Sequence, residues 1–202
     1  MPLYELEGSS FASTDRYGHL CSATGTVTTP QGKAFDGIDD TIFVPDDILL
    51  GRSPPWTLEL WGNMVANQAS GSFGGTLYSC AQAAWIQIFI DRVTLNIRIA
   101  TSTPSQNVII VNTAMTTGTF HHLVISCAGP GTNETSVYFD GNLSGQTTIN
   151  TVVTGNTTER IGWDGNPGSQ LNGYIAEVVV YDRALLQPDV TANYEATKWR
   201  YR

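Results

Sequence analysis

The stretch Ala34-Phe35-Asp36-Gly37-Ile38-Asp39-Asp40-Thr41-Ile42-Phe43-Val44-Pro45 decides the fold of this chain. Within it, Asp36-Gly37 is a turn signal, because an aspartate side chain bonds to nearby backbone and glycine supplies a flexible one. Calcium prefers six to eight oxygen ligands, typically Asp side chains and carbonyls. Asp36, Asp39 and Asp40 are therefore candidate metal ligands, and turn stabilisation is the alternative that we favour for Asp36.

The composition around that stretch is typical of an all-β protein. Of 202 residues, 41% are hydrophobic and only 14% are charged, while 25 are Thr and 14 are Ser. Thr is β-branched and suits the half-exposed surface of a sheet. Area scaling allows about 70% of the surface of such a chain to be buried, so neither a metal nor a disulfide is needed for a core. We expect the three cysteines to be reduced small hydrophobes.

The charge and hydropathy patterns exclude several partners. The net charge of −8 and the scattered basic residues exclude a nucleic-acid-binding face. No run of about 18 apolar residues is present, so we expect no membrane span. The opening MPLYELEGSS lacks the basic and apolar regions of a signal peptide, and we expect none in this chain.

Strict alternation of apolar and polar residues predicts strands along most of the chain. Val93–Ile99 has an aliphatic residue at every odd position. In the preceding run, Ile86, Ile88 and Ile90 form one face and Trp85, Gln87 and Phe89 the other, and a hairpin at 91–92 joins the two runs.

Three further signals predict the second half of the domain. Asp140-Gly141 favours a type I′ turn between strands, because both positions tolerate positive φ. Gly173–Tyr181 carries aliphatic residues on both faces, which indicates a central strand. A helix is predicted near Leu185, with Pro188 at its first position and Asp189 in its first turn.

In this order the landmarks resemble those of laminin-G-like domains in the concanavalin A-like lectin and glucanase superfamily. The opening stretch is similar to the family's FDG-x-DD segment, Phe120–Val124 to its WHH strand and Val137–Gly141 to its vYvDG hairpin. Gly173–Leu185 and Tyr194–Trp199 resemble the family's ending. The resemblance implies one domain over residues 1–202. Its fold would be an all-β, two-sheet antiparallel jelly-roll sandwich with a short C-terminal helix.

The resemblance implies glycan or protein binding and no activity by itself, since one fold hosts many functions. Glycosidases of this superfamily carry two carboxylates on one strand as E-x-D-x-x-E, and this chain has no such motif. Glu59 stands alone in its strand, and Glu177 matches a position that is usually structural. We therefore expect a non-enzymatic module and keep a glycoside hydrolase relative as the least favoured alternative.

The best candidate for ligand binding is the turn-rich loop that contains Trp163, Asp164 and Asn166. Its aromatic ring, acid and amide can stack on a sugar and hydrogen-bond to it, and an ordinary surface loop is the alternative. Trp85 is a second candidate and either projects from its strand or plugs the core. Asp140 is assigned to its turn.

The chain suits two settings. The one we favour is a virion decoration or fibre protein, or another extracellular-type surface, where the module binds a glycan or a neighbouring structural protein, including copies of itself. A free lectin-like carbohydrate-binding module is the alternative. No cofactor is expected apart from the calcium considered above.

Overall fold

The computed structural model describes residues 2–7, 21–44, 54–68, 73–81, 86–101, 107–149 and 158–201. The strands in these ranges are β1 (Pro2–Glu7), β2 (Ser22–Thr24), β3 (Val27–Thr29), β4 (Gly32–Asp36), β5 (Thr41–Val44), β6 (Trp56–Ala66), β7 (Phe73–Ala81), β8 (Ile86–Asp91), β9 (Asn96–Thr101), β10 (Asn107–Ala114), β11 (Phe120–Cys127), β12 (Thr135–Phe139), β13 (Asn142–Thr147), β14 (Thr158–Ile161) and β15 (Asn172–Tyr181). Helix α1 (Gln187–Thr197) and a 3-10 turn (Lys198–Arg200) follow them.

The strands form two antiparallel sheets. The eight-stranded sheet has the order β13-β12-β11-β6-β15-β4-β3, with β1 also paired to β15. The seven-stranded sheet has the order β10-β9-β8-β7-β14-β5-β2. The predicted two-sheet jelly-roll sandwich with a short C-terminal helix is thereby confirmed, as is the central position of β15. The helices of the described ranges fall short of the length and apolarity that a bilayer span requires.

Alternation along the strands builds the core between the sheets. Leu58 and Leu60 of β6 face Ile86, Ile88 and Ile90 of β8 across one continuous apolar cluster, and each is at most 1% exposed. Burying a side chain of this size stabilises the fold by about 1.5–3 kcal/mol. All three cysteines lie in the same cluster, in keeping with their expected role as small hydrophobes.

The outer face of the eight-stranded sheet is also covered. Val190 of α1 is fully buried against Val124, Tyr138 and Leu185, which point away from the main core. Strands β6, β11 and β15 are therefore buried on both faces, and this explains why their sequences lack a clean polar face. Polar side chains on these strands must then find partners under the helix.

Local turn chemistry sets the strand ends. Asp140 (φ 48°) and Gly141 (φ 78°) form the predicted turn between β12 and β13. The predicted strand at 93–99 begins only at Asn96, because the Asp91 carboxylate holds the backbone N–H groups of residues 93 and 94 and Leu95 has a φ of 59°. Helix α1 begins at Gln187, so Pro188 occupies its second position rather than its first.

Candidate functional site

The loop after β14 is organised by the Asp164 carboxylate. Its Oδ1 accepts the Asn166 backbone N–H (2.8 Å) and the Ser169 hydroxyl. Its Oδ2 accepts Nε2 of Gln87 (2.8 Å) and Nδ2 of Asn166 (3.0 Å). With four donors on two oxygens, Asp164 holds the loop against the outer face of the seven-stranded sheet.

Trp163 is fixed on this loop as a half-buried ring. Its indole N–H donates to the Asn166 carbonyl (2.8 Å), and its own carbonyl accepts the Ser79 hydroxyl (3.0 Å). The Arg160 guanidinium lies 5.7 Å from the Trp163 ring centroid and 5.2 Å from that of Phe43. The structure thus brings together the predicted residues Trp163, Asp164 and Asn166. Trp85, the other predicted ligand-binding residue, lies outside the described residues.

The three acids of the opening stretch also lie together, between β4 and β5. Asp36, Asp39 and Asp40 each have a carboxylate oxygen within 4.8 Å of the others. Asp36 accepts the Ile38 backbone N–H and Asp40 accepts that of Asp36, both at 2.8 Å. Burial raises the pKa of Asp40, and the charges of Asp36 and Asp39 add to this effect. The spacing fits a shared cation, whereas the hydrogen bonds fit the favoured role in the turn.

A buried carboxylate network lies under α1, and the sequence analysis missed it. The Glu59 carboxylate accepts His122 Nε2–H (2.7 Å), the Tyr181 hydroxyl (2.9 Å) and Asn193 Nδ2–H (2.8 Å). Glu59 is 5% exposed and His122 is fully buried. The network joins β6, β11, β15 and α1, and it packs beside Trp61, whose ring centroid is 5.0 Å from that of His122. Because Glu59 is buried and bonded to a residue of α1, we assign it the structural role of holding α1 against the sheet.

A second hydrogen-bonded chain, also missed, lies at the edge of the same sheet. The backbone N–H of Thr116 donates to His121 Nε2 (3.3 Å), so that nitrogen is the acceptor and Nδ1 carries the proton. Nδ1–H donates to Asp140 Oδ2 (2.9 Å), and the Thr116 hydroxyl lies 2.8 Å from Nε2. The hydroxyl–imidazole–carboxylate order is that of a nucleophilic triad. In this chain, however, the backbone N–H and the hydroxyl of Thr116 both contact Nε2 of His121. These two contacts also hold the turn before β11 in place.

Comparison with known proteins supports the fold. Residues 36–191 match the Laminin_G_3 family model, described as the concanavalin A-like lectin/glucanases superfamily. A search of curated proteins finds no match. Among solved structures, domain 4 of AbnA, an extracellular arabinanase of Geobacillus stearothermophilus in complex with arabinotriose, is 20% identical with a TM-score of 0.76. That similarity covers 95% of this chain and 97% of the other.

Two larger proteins contain the same fold. The receptor-binding domain of botulinum neurotoxin D is 14% identical with a TM-score of 0.75, over 97% of this chain and 52% of that one. Trypanosoma rangeli sialidase in complex with sialic acid is 14% identical with a TM-score of 0.73, over 99% of this chain and 33% of that one. The family model covers most of the chain and agrees with the two-sheet architecture. This chain therefore belongs to the concanavalin A-like lectin/glucanases superfamily.

Proposed function

We propose that this chain is a carbohydrate-binding module without catalytic activity, and that Trp163 is its sugar-stacking platform. The observation that carries the proposal is the fixed, half-buried Trp163 ring, with its N–H bonded at 2.8 Å and Arg160 beside it. A ring held in place before binding loses little conformational freedom when a sugar packs on it.

The polar groups of the loop divide into two roles under this proposal. Both oxygens of Asp164 are occupied by the loop and by Gln87, so Asp164 positions the site. Asn166 is exposed, and one N–H of its amide already donates to Asp164. We assign the hydrogen bond to the sugar to the rest of this amide, which has a second N–H and an oxygen. Trp85 remains a proposed second platform.

The hydrogen bonding of the carboxylates supports a binding role over hydrolysis. Glycoside hydrolysis needs an acid and a base or nucleophile facing each other across the sugar. Asp164 is occupied by four donors and Glu59 by three, and the latter is buried under α1. The sugar complexes of the arabinanase domain and of the sialidase are in keeping with carbohydrate binding.

A glycan array with two matched tryptophan variants tests this function. Trp199 is 67% exposed, and its indole N–H donates to a carbonyl three residues away, as that of Trp163 does. We expect Trp163→Ala to abolish the array signal of neutral glycans without lowering the melting temperature, and Trp199→Ala to retain that signal. An unchanged signal in Trp163→Ala would exclude this loop as the sugar site.

For the setting, we propose a virion or other extracellular assembly in which this module meets neighbouring protein, including copies of itself. The net charge of −8 suits a solvent-facing coat. Leu186, just before α1, is 66% exposed and is available for a protein contact. Sedimentation velocity should show an oligomer that Leu186→Ser disrupts. A wild-type monomer would favour the free lectin-like module.

A further inference from the structure

A cleft of about 410 Å³ opens on the outer face of the eight-stranded sheet, where α1 ends. Its floor is formed by Trp61 and Asn63 of β6 and by Phe120 of β11, which is paired with Asn63 in register. Tyr194 of α1 and Tyr201 beyond the 3-10 turn form its wall. A volume of this size is typical of a small-ligand site.

The cleft has an aromatic lining with accessible ring faces. The Tyr201 ring centroid is 4.7 Å from that of Trp61 and 5.6 Å from that of Phe120, and Tyr194 stacks on Trp61 at 5.8 Å. Phe120, Tyr194 and Tyr201 are half-buried, so each keeps part of its surface on the cleft. Such rings provide flat apolar area for the C–H face of a sugar.

The floor of the cleft also contains a buried side-chain oxygen with no hydrogen-bond donor among the described residues. Asn63 is 6% exposed, and none of the described residues donates to its Oδ1. Buried side-chain oxygens in proteins are nearly always hydrogen-bonded, because an unsatisfied one is costly. Asn63 lines the cleft, and a turn of its side chain would bring this buried oxygen to a ligand hydroxyl or amide N–H.

Cations line the same cleft. Of the ten Lys and Arg residues in this acidic chain, Lys198 and Arg200 border it. Lys198 Nζ lies 2.6 Å from the exposed Glu195 carboxylate and 5.3 Å from the Tyr194 ring centroid. Asp140, the one acid among the described residues of the lining, accepts bonds from His121 Nδ1–H and from the backbone N–H of residue 122, both at 2.9 Å. Two cationic side chains at the mouth, of which Lys198 already pairs with Glu195, are thus in reach of an anionic group on a ligand.

We propose that this cleft binds a carboxylated sugar residue. The sugar ring packs on the Phe120 and Tyr201 rings, which are half-buried. A hydroxyl of the sugar hydrogen-bonds to the Asn63 side chain, and its carboxylate pairs with Lys198 and Arg200. The inference goes beyond the proposed function, because the cleft and the Trp163 loop lie on opposite sheets and either site can fail alone.

NMR titration tests the cleft with small probes. The acidic probes are methyl glucuronide and the methyl glycoside of N-acetylneuraminic acid, and methyl glucoside is the neutral match of the first. We expect at least one acidic probe to shift the Trp61 indole N–H signal saturably, and methyl glucoside to bind at least about 10-fold more weakly. Failure of both acidic probes, or equal binding of the glucoside, would overturn the proposal.

Substitutions in the lining then show which side chains contribute to binding of the acidic probe. Lys198→Gln/Arg200→Gln changes only accessible side chains and should weaken the acidic probe about 10-fold, whereas the exposed control Arg92→Gln should not. Asn63→Ala should weaken binding further, with circular dichroism to verify its fold. Trp163→Ala should leave the affinity for the acidic probe unchanged. Unaltered affinity in the Lys198/Arg200 double variant would refute this site.

Discussion

Replacing Glu59 by alanine should destabilise the fold severely, because one carboxylate holds groups from three other elements. The variant leaves His122, Tyr181 and Asn193 without their shared acceptor. Hydrogen bonds to a charged group are worth about 1.5–3 kcal/mol each and are not additive. Each buried donor left without its acceptor costs about 1–3 kcal/mol. We expect a loss of about 4 kcal/mol, or about 10 °C in Tm for a chain of this length.

Urea unfolding followed by tryptophan fluorescence measures this loss, with an unchanged m-value as the check on two-state behaviour. Glu59→Gln keeps an acceptor oxygen and should lose about half as much. Glu195→Ala is the matched control, because Glu195 is exposed and pairs with Lys198 near the surface. It should change stability by less than about 0.5 kcal/mol. Equal losses in Glu59→Ala and Glu195→Ala would refute the assignment of the network to helix docking.

Three further predictions concern the turns. Burial opposes ionisation of Asp91, but hydrogen bonds from Thr94 and the charge of Arg98 outweigh it and hold the pKa of Asp91 below its usual value. The ionised Asp91 carboxylate stabilises the fold above the usual pKa of an aspartate, and this stabilisation is lost as the pH falls through the lower pKa of the folded state. Asp91→Asn should therefore lower the free energy of unfolding, measured in urea, by more at pH 7 than at about pH 3. We expect about 5 mM Ca²⁺ to shift Tm by less than about 1 °C; a larger increase that Asp40→Asn removes would instead assign a calcium site. His121→Ala should lower stability by about 1–2 kcal/mol, and the wild type should not hydrolyse nitrophenyl esters, whereas turnover lost in this variant would reveal a catalytic chain.

Local patterns predicted several strands and the turn at Asp140-Gly141. The inward set Ile86, Ile88 and Ile90 followed from alternation alone, because the two faces of a strand differ every second residue. The turn at Asp140-Gly141 could be predicted because both residue types tolerate a positive φ. The start of β9 could not be predicted, since it depends on the Asp91 carboxylate capturing the next two backbone N–H groups.

The site was predictable only as far as its contacts were local. Asp164 and Asn166 are two residues apart, and their pairing lies within the loop. The bond from Gln87 to Asp164 spans 77 residues, and the bonds to Glu59 from His122, Tyr181 and Asn193 span 63, 122 and 134. No pattern in one strand marks such partners. An acid at a position where both faces of the strand are covered was the available signal for Glu59.

The most direct test of a sugar platform at Trp163 is an NMR titration of the tryptophan indole N–H signals with the strongest neutral glycan from the array. Trp163→Phe identifies the Trp163 signal by removing it. The signal that moves with glycan should be that one, and no signals of cleaved sugar should appear, because the site breaks no bond. A fixed Trp163 signal in the presence of bound glycan, or new signals from cleaved sugar, would contradict a non-catalytic site on this loop.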